Sequence, residues 1–329
     1  MITINSITDC ETPVQFLDYM SGNAVYVKRD DLIPFSFGGN KARKAALFFH
    51  EIDCSGCNCV VTYGGNRSNH CRVVSNMAAA RGLRCLVVSP QESCVPVFNR
   101  RMTKLFGAEI ISVPVSEVHD TIETRLQRLR KEGFRPFFIP GGGHGNTGTQ
   151  AYVNCYDEIR FPDTAGGISF DYVFHASGTG TTQAGLVCGK LIHSGRENIV
   201  GISIARKNPR GRQAVVDSVR AYLTAHGHDV PDSLIEKEVV FDDAYVGGGY
   251  GADSAPDVID RVLLHYGLPL DPVYTGKAFS GMLAYMKEHA LSGKNILFIH
   301  TGGSPLFFDY LNDKRDLKDE YHDPLCRNP

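Results

Sequence analysis

Short strand-like runs alternate with helical segments along nearly the whole chain, and no other feature limits the fold as strongly. Strands are predicted at 24–28, 59–63, 85–89, 109–113, 135–139, 172–175, 199–204, 239–242 and 295–300. Helices are predicted at 40–52, 69–81, 97–106, 120–132, 147–156, 182–192, 212–225, 256–265 and 276–291. Repeated strand–helix–strand units favour parallel sheets with helices over both faces, so the sequence predicts an α/β protein.

Glycine-rich breaks follow several of these strands. They are Gly64-Gly65, Gly141-Gly142-Gly143, the turn 178–180, Gly247-Gly248-Gly249 and Gly302-Gly303. Open parallel sheets bind ligands at the carboxyl ends of their strands. The five turns are therefore predicted to converge on one crevice.

The segment 171–185 (DYVFHASGTGTTQAG) reads as a strand, a tight turn and a helix. Its glycines allow several backbone N–H groups to point into one concavity, and a helix N-terminus adds positive partial charge, so phosphate is the expected guest. A tight connection without a ligand is the alternative. The pattern G-x-x-x-x-G-K-[ST] is absent, which argues against a nucleotide triphosphate loop.

Lys41 stands at the start of a predicted helix, directly after Gly38, Gly39 and Asn40. The glycine pair permits a close approach of backbone to a partner, and the lysine offers a single amine beside it. We interpret Lys41 as a candidate covalent anchor for pyridoxal phosphate. This cofactor requires one amine, a cradle for its phosphate and a partner for its ring nitrogen.

A second candidate, Ser68-Asn69-His70, follows the strand that ends near Tyr63 and opens the next predicted helix. Helix N-terminal amides, together with serine, asparagine and histidine side chains, suit a substrate carboxylate. An ordinary serine N-cap is the alternative, and the local sequence alone favours it.

Composition excludes several classes of partner. The 329 residues include 34 Lys plus Arg against 36 Asp plus Glu, and the net charge of -2 gives no electrostatic case for nucleic acid or an acidic membrane. No segment approaches the roughly 18 apolar residues of a membrane span, and residues 1–13 resemble no targeting signal. A cytoplasmic location is expected.

The cysteines point to a reduced protein without a metal. Four of the ten lie in apolar, periodic segments where free thiols behave as small hydrophobes: Cys71, Cys85, Cys155 and Cys188. Cys54, Cys57 and Cys59 form a C-x2-C-x-C cluster that could hold zinc, but no second pair or histidine follows at the usual spacing. A turn before a buried strand is the favoured interpretation.

Four motifs, taken in order, resemble one enzyme family. They are residues 27–32 (VKRDDL) leading into 38–44 (GGNKARK), the Ser68-Asn69-His70 triplet, 271–277 (DPVYTGK) and 300–303 (HTGG). The chain from about 25 to 308 resembles the fold type II pyridoxal-phosphate enzymes, the tryptophan synthase β-subunit class. More narrowly, it resembles the branch that holds D-cysteine desulfhydrase, cysteate sulfo-lyase and 1-aminocyclopropane-1-carboxylate (ACC) deaminase.

This resemblance implies an architecture and an assembly. The expected fold has two open, twisted, mostly parallel sheets flanked by helices. Residues 1–42 and 156–329 would form a large cofactor-binding domain, and 43–155 a small domain that closes over the active site. The expected partners are pyridoxal 5'-phosphate, a small amino-acid substrate and a second copy of the chain in a homodimer.

The resemblance also implies residue roles. Lys41 would be the Schiff-base lysine that later moves protons, with Ser68 and Tyr274 as the other catalytic residues. Asn69 would bond the ring hydroxyl oxygen, and the substrate would be bound by Ser68, Asn69, His70 and Tyr274. The phosphate turn would comprise Ser177, Gly178, Thr179, Gly180, Thr181 and Thr182.

Thr275 and Thr301 bear on the reaction, and either could face the ring nitrogen. ACC deaminase has glutamate after the tyrosine and a His-Leu-Gly-Gly turn, where this chain has the two threonines. A threonine can leave the ring nitrogen neutral, which favours the desulfhydrase pattern. D-cysteine conversion to pyruvate, sulfide and ammonia is thus the first expectation. L-cysteate sulfo-lyase, ACC deaminase, a β-replacement synthase and a cofactor-binding sensor or carrier remain alternatives.

Some positions depart from the desulfhydrase pattern. Asn66 and Arg67 replace the usual Ile-Gln, and Arg67 either reaches a second anionic group such as a sulfonate or faces away, as the sequence favours. The glycine-rich loop 247–251 is expected to be mobile near the substrate. His144 and His175 match no catalytic position and are interpreted as structural or loop residues.

Overall fold

The computed structural model describes residues 11–91, 97–160, 167–251 and 256–314. The strands in these ranges are β1 Val14–Met20, β2 Asn23–Lys28, β3 Cys59–Tyr63, β4 Arg84–Pro90, β5 Glu109–Val113, β6 Pro136–Ile139, β7 Tyr172–Ser177, β8 Asn198–Ser203, β9 Val240–Asp242 and β10 Asn295–Ile299. The helices are α1 Asn40–Ser55, α2 Asn69–Ala79, α3 Phe98–Leu105, α4 Val118–Lys131, α5 Asn146–Arg160, α6 Thr181–His193, α7 Arg210–Ala225, α8 Asp232–Glu238, α9 Pro256–Tyr266, α10 Thr275–Glu288 and α11 Ser304–Asp313.

The strands form two sheets. The six-stranded sheet has the order β1-β2-β10-β7-β8-β9, in which β1 runs antiparallel to β2 and the remaining pairs are parallel. The four-stranded sheet has the order β5-β4-β3-β6 and is parallel throughout. The predicted α/β class with two mostly parallel sheets is confirmed.

Helices cover both faces of the six-stranded sheet. Helices α5, α6 and α7 pack on one face through side chains such as Tyr152, Leu186 and Val216. Helices α9 and α10 pack on the other face through Ile259 and Phe279. Strands buried on both faces need apolar residues at consecutive positions, which explains the unbroken apolar runs of the sequence.

The four-stranded sheet is covered in the same way. Along β3, Val60 packs toward α1 and α2, whereas Cys59 and Val61 pack toward α4, so side chains alternate between two cores. The cysteine cluster follows this local geometry: Cys54 lies in the last turns of α1, Cys57 in the connection and Cys59 at the buried start of β3.

The order of the strands suggests how the chain divides. The six-stranded sheet takes its strands from residues 14–28 and 172–299, and the four-stranded sheet takes its strands from 59–139. We propose that these sheets are the centres of the expected large and small domains. In the described ranges, no helix combines the length and apolar character that crossing a lipid bilayer requires.

Candidate active site

A cavity of about 560 Å³ opens between the two sheets, at the carboxyl ends of their strands. Residues from all five glycine-rich breaks line it: Gly64, Gly65, Gly141, Gly142, Gly178, Gly180, Gly248 and Gly302. The expected convergence of these turns is confirmed. The volume lies in the range that holds a small cofactor together with a substrate.

Lys41 lies in the first turn of α1, and its side chain lines the cavity. Its Nζ lies 3.2 Å from Asn40 Oδ1, and burial lowers the pKa of the amine from 10.5 to about 8. The turn before it packs against the segment that follows β10: a Cβ at Gly39 would lie 2.6 Å from the Thr301 carbonyl oxygen. Glycine is required there because φ is 90° and no methyl group fits.

Lys44 lies one helical turn after Lys41 and was not singled out in the sequence. It is fully buried, and its Nζ has no hydrogen-bond partner among the described residues. Burial is the larger cause and repulsion from Lys41 the smaller one, and together they hold the pKa of its amine well below the ordinary value. Burial of an amine without a hydrogen-bond partner favours its neutral form, and Nζ lies 5.7 Å from the centroid of the Tyr152 ring. The sequence could have indicated this position, because residues three apart on a helix lie on the same face and Lys44 is three residues after Lys41.

The turn before α6 supplies the expected anion cradle. Gly178, Thr179, Gly180 and Thr182 line the cavity at the helix N-terminus, where backbone N–H groups and the helix dipole attract negative charge. Thr182 Oγ1 accepts a hydrogen bond from Asn40 Nδ2 at 3.1 Å, which leaves the hydroxyl proton available to a ligand.

Ser177 and Thr181 belong to the same turn but do not line the cavity. Ser177 Oγ donates to Gln183 Oε1 at 3.0 Å, and Thr181 Oγ1 lies 3.0 Å from His144 Nδ1. Their side chains brace the turn, so their expected contact with a phosphate is limited to the backbone. His144 thus has a loop-bracing contact.

Asn69 presents a donor to the cavity. Its Oδ1 accepts hydrogen bonds from Asn99 Nδ2 at 2.9 Å and from Arg72 Nη2 at 3.4 Å. Because the oxygen is occupied, the amide nitrogen Nδ2 remains to donate to a ligand oxygen. This orientation suits the role that the resemblance implies, a bond to the ring hydroxyl oxygen of the cofactor.

Ser68 serves as both an N-cap and a cavity residue. Its Oγ accepts a hydrogen bond from the Cys71 amide at 3.2 Å, as an ordinary N-cap does, while its hydroxyl proton remains available. The amides of Asn69 and His70 open α2 beside it, and all three residues line the cavity. These N–H and O–H donors can bind a substrate carboxylate.

The His70 side chain is neutral. Thr62 Oγ1 donates its only proton to the Ile139 carbonyl at 2.7 Å, so His70 Nε2, 2.8 Å away, must donate to Thr62. Burial first, and then repulsion from Lys41 and Lys44, lowers the pKa of the ring to about 3. The ring therefore brings no positive charge to a carboxylate, and its backbone amide is the part that suits this role.

Tyr274, Thr275 and Thr301 occupy different positions relative to the cavity. Tyr274 lines it, and burial holds the pKa of its hydroxyl well above the ordinary value, so the group is a donor and not a base. Thr301 also lines the cavity. Thr275 does not, because its hydroxyl donates to Asp271 Oδ2 at 2.7 Å and accepts from the Asp271 amide. Of the two threonines, Thr301 is the one placed to meet a ring nitrogen.

These residues fit pyridoxal phosphate. The cavity offers one amine of lowered pKa, a helix N-terminus for the phosphate, and an amide donor for the ring oxygen. His175 lies under this site, buried, with Nδ1 3.2 Å from the Ala176 carbonyl oxygen and outside the cavity lining. Arg67, by contrast, lines the cavity, against the sequence-based preference that it faces away.

A family model described as "Pyridoxal-phosphate dependent enzyme" matches residues 7–302. The chain belongs to this family. Its expected cofactor, pyridoxal phosphate, and its resemblance to fold type II enzymes are thereby confirmed.

Individual relatives match over nearly the full length. A D-cysteine desulfhydrase of Yersinia pestis (strain Pestoides F) is 32% identical over 317 residues, covering 93% of this chain and 94% of the relative. A provisionally named ACC deaminase of Pyrococcus abyssi (strain GE5 / Orsay) is 34% identical over 315 residues, covering 93% of each. The crystal structure of an ACC deaminase homologue superposes with a TM-score of 0.85 at 32% identity, covering 95% of both chains.

Proposed function

We propose that this pyridoxal-phosphate enzyme is a lyase that eliminates the β-substituent of a small amino acid, with D-cysteine as the first substrate to test. The observation that carries the proposal is the position of Lys41, whose amine of lowered pKa shares one cavity with Ser68 and Tyr274. The relatives named D-cysteine desulfhydrase and ACC deaminase support the same class of chemistry.

The cofactor, when bound, withdraws electrons from the substrate α-carbon and makes its proton acidic. Lys41 Nζ, neutral above about pH 8, then removes and returns that proton. Ser68 and the amides that open α2 orient the substrate carboxylate. The protonated Tyr274 hydroxyl donates to the substrate or to its leaving group.

Thr301 favours elimination over ring opening. If Thr301 meets the ring nitrogen of the bound cofactor, its hydroxyl would not hold a proton on that nitrogen as a carboxylate would, and the ring would withdraw electrons more weakly. Loss of sulfide after removal of the α-proton requires less electron withdrawal by the cofactor than opening a cyclopropane ring does. D-cysteine would yield pyruvate, sulfide and ammonia, and the cyclopropane substrate ranks below it.

Replacement of Lys41 by alanine tests the proposal. The Lys41→Ala protein is expected to lose both the visible absorption band of the bound cofactor and the release of pyruvate from D-cysteine. Lys104→Ala, which changes a lysine outside the cavity lining, serves as the control and should retain both. A Lys41→Ala protein that keeps its band and its turnover would contradict the assignment.

A substrate panel separates catalysis from simple binding. Wild-type protein is given D-cysteine, L-cysteate, D-serine and ACC, and the release of pyruvate or 2-oxobutyrate is measured. A protein that binds the cofactor, exchanges no α-proton of D-cysteine, L-cysteate or D-serine in deuterated water, and releases no 2-oxobutyrate from ACC would be a sensor or carrier, and the lyase proposal would fail.

A further inference from the structure

The cavity contains one cation to which the proposed reaction gives no role. Among the described residues that line it, Lys41, Arg67 and Arg206 have lysine or arginine side chains, and none is aspartate or glutamate. Each of these three side chains can be compared with the groups of the cofactor and substrate that it could bind.

Two of the three cations already have a partner or a role. Lys41 is the proposed cofactor anchor. Arg206 Nη1 donates to the Thr179 carbonyl at 3.1 Å, which holds Arg206 against the phosphate turn. The substrate carboxylate has the N-terminus of α2, with Ser68 as its N-cap. Arg67 is the cation that remains.

The Arg67 guanidinium is uncommitted. Its backbone oxygen is fixed by Asn99 Nδ2 at 3.1 Å, but in the part of the chain that the structure describes its side chain forms no hydrogen bond and no ion pair. Burial raises the pKa of Asp309, and Arg67 acts in the opposite direction, so the two lie within electrostatic range. The Asp309 carboxylate nevertheless accepts from the Phe98 amide at 3.0 Å and forms no ion pair with Arg67.

Arg67 also lies close to the reacting end of the site. It precedes Ser68 directly, and it partly opposes the rise that burial causes in the pKa of Tyr274. An amino acid whose carboxylate is bound at α2 and whose α-carbon faces Lys41 would direct its side chain toward the remaining space between Arg67 and Tyr274.

We propose that Arg67 determines specificity by binding the β-substituent of the substrate, and that the preferred substrates carry a full negative charge there, as a sulfonate does. This inference rests on the proposed β-elimination and names its substrate class. A guanidinium binds oxyanions through two parallel N–H groups. A neutral substituent cannot accept this pair of charge-assisted hydrogen bonds. D-cysteine belongs to the class in its thiolate form.

The chemistry balances without an oxidant or a reductant. With cysteate, Lys41 Nζ takes the α-proton as the Cα–H bond breaks, and the electron pair of that bond forms the Cα–Cβ double bond. The Cβ–S bond breaks, and its pair leaves with sulfur as sulfite, beside Arg67. The released enamine takes up one water and gives pyruvate and ammonium.

The test compares a charged with a neutral β-substituent in the holoenzyme. Pyruvate release from both enantiomers of cysteate and of β-chloroalanine is measured, and kcat/KM for cysteate is divided by that for β-chloroalanine. In Arg67→Gln this ratio should fall about 10- to 100-fold, the effect of losing a charge-assisted hydrogen-bond pair. Arg67→Lys should fall between, because it keeps the charge without the paired N–H groups.

The control is Arg101→Gln, which removes the same charge from an exposed residue near Asp309 that does not line the cavity. Its ratio should match the wild type. The visible absorption band measures how much cofactor each variant binds. If Arg67→Gln does not bind the cofactor, the ratio for Arg67→Lys is compared with that of the wild type instead.

Two results would overturn the inference and leave the lyase proposal intact. One is an unchanged ratio in Arg67→Gln and Arg67→Lys. The other is a wild-type protein that releases pyruvate from β-chloroalanine but from neither enantiomer of cysteate. Absence of pyruvate from every compound would instead overturn the proposed β-elimination itself.

Discussion

At Lys41, burial alone sets the charge of the amine. Desolvation lowers its pKa from 10.5 to about 8, and no acidic group among the described cavity residues counteracts it. Condensation with an aldehyde requires the neutral amine. The lowered pKa therefore increases the neutral fraction of Lys41 already in the protein without cofactor.

The rate at which the apoprotein takes up pyridoxal phosphate should therefore depend on pH. Below about pH 8 the neutral fraction of Lys41 rises about tenfold per pH unit, and above it the fraction levels off. Stopped-flow absorbance of apoprotein mixed with cofactor measures this rate. A rate that keeps rising toward pH 10.5, as for a solvent-exposed lysine, would show that burial does not perturb the amine.

At the residue scale, the sequence indicates which side chains reach the cavity where a motif fixes the start of a helix. Lys41, Ser68 and Asn69 all line the cavity, and each lies at the N-terminal end of a helix; their roles in binding and catalysis stay predictions. Thr275 and Thr301 were indistinguishable in the sequence, since the bond between Thr275 and Asp271 depends on the local turn and not on residue type. The hydrogen bond to Thr62 determines which ring nitrogen of His70 carries the proton, and no local sequence pattern connects these two residues.

At the scale of elements, the loop 246–251 depends on helix α10. Lys277, three residues after Tyr274, is buried and donates from Nζ to the carbonyls of Val246 at 3.1 Å and Gly249 at 2.5 Å. Tyr250, in the same loop, lines the cavity with its ring centroid 6.3 Å from that of Tyr274. One ammonium thus holds the loop that the sequence indicated to be mobile.

Lys277→Met should loosen this loop while preserving the length of the side chain. We expect kcat/KM for D-cysteine to fall by about tenfold or more, mainly through a higher KM. The reason is that two carbonyls of the loop lose charge-assisted hydrogen bonds. Steady-state kinetics and amide hydrogen exchange of 246–251 check it. Lys287→Met, on the exposed part of the same helix, is the control. Unchanged exchange in the loop would contradict the role of Lys277.

All predicted strands and helices occur with ends displaced by a few residues, whereas β1, α8 and α11 were not predicted. Strand β1 exposes Phe16 by 50% and Tyr19 by 74%, and its register shifts between Phe16 and Asp18, so it shows no clean alternation. Strand β1 forms because the backbone of β2, on the side away from β10, can pair with it. Helix α8 has only 7 residues, too few for a convincing helical period.

At the scale of the whole molecule, a buried charge network connects the two places where the chain passes between the sheets. Arg43 of α1 pairs with Asp30 at 2.8 Å and with Glu158 of α5, and Lys28 of β2 pairs with Glu158 at 2.5 Å. The Tyr152 hydroxyl donates to Asp30 at 2.6 Å. Burial raises the pKa of Asp30, but Arg43 and Lys28 outweigh it, and the net pKa is lowered.

Arg43→Met should destabilise the protein by about 3–5 kcal/mol, because it leaves Asp30 as a buried charge without its main partner. The urea midpoint of unfolding measures the loss. The double variant Arg43→Met, Asp30→Asn should recover part of it. Since the folded pKa of Asp30 is lowered, the wild-type contribution is present above pH 3.8 and is lost as pH falls further. A single variant as stable as the wild type would refute the network's contribution.

The assembly and location of the protein stay predictions, because they depend on surfaces outside a single chain. A homodimer and a cytoplasmic location follow from the resemblance and from composition, and neither is encoded in the cavity. The described residues of this chain that line the cavity extend from Asn40 to Gly302.

The contact between Gly39 and Gly302 has a consequence for engineering. A Cβ at Gly302 would lie 2.7 Å from the Gly39 Cα, so main chain touches main chain and fixes the spacing between the lysine-bearing helix and the turn with Thr301. That spacing does not depend on which side chain follows His300. A substitution at Thr301, the residue proposed to face the ring nitrogen of the cofactor, should therefore leave the position of the Lys41 amine unchanged.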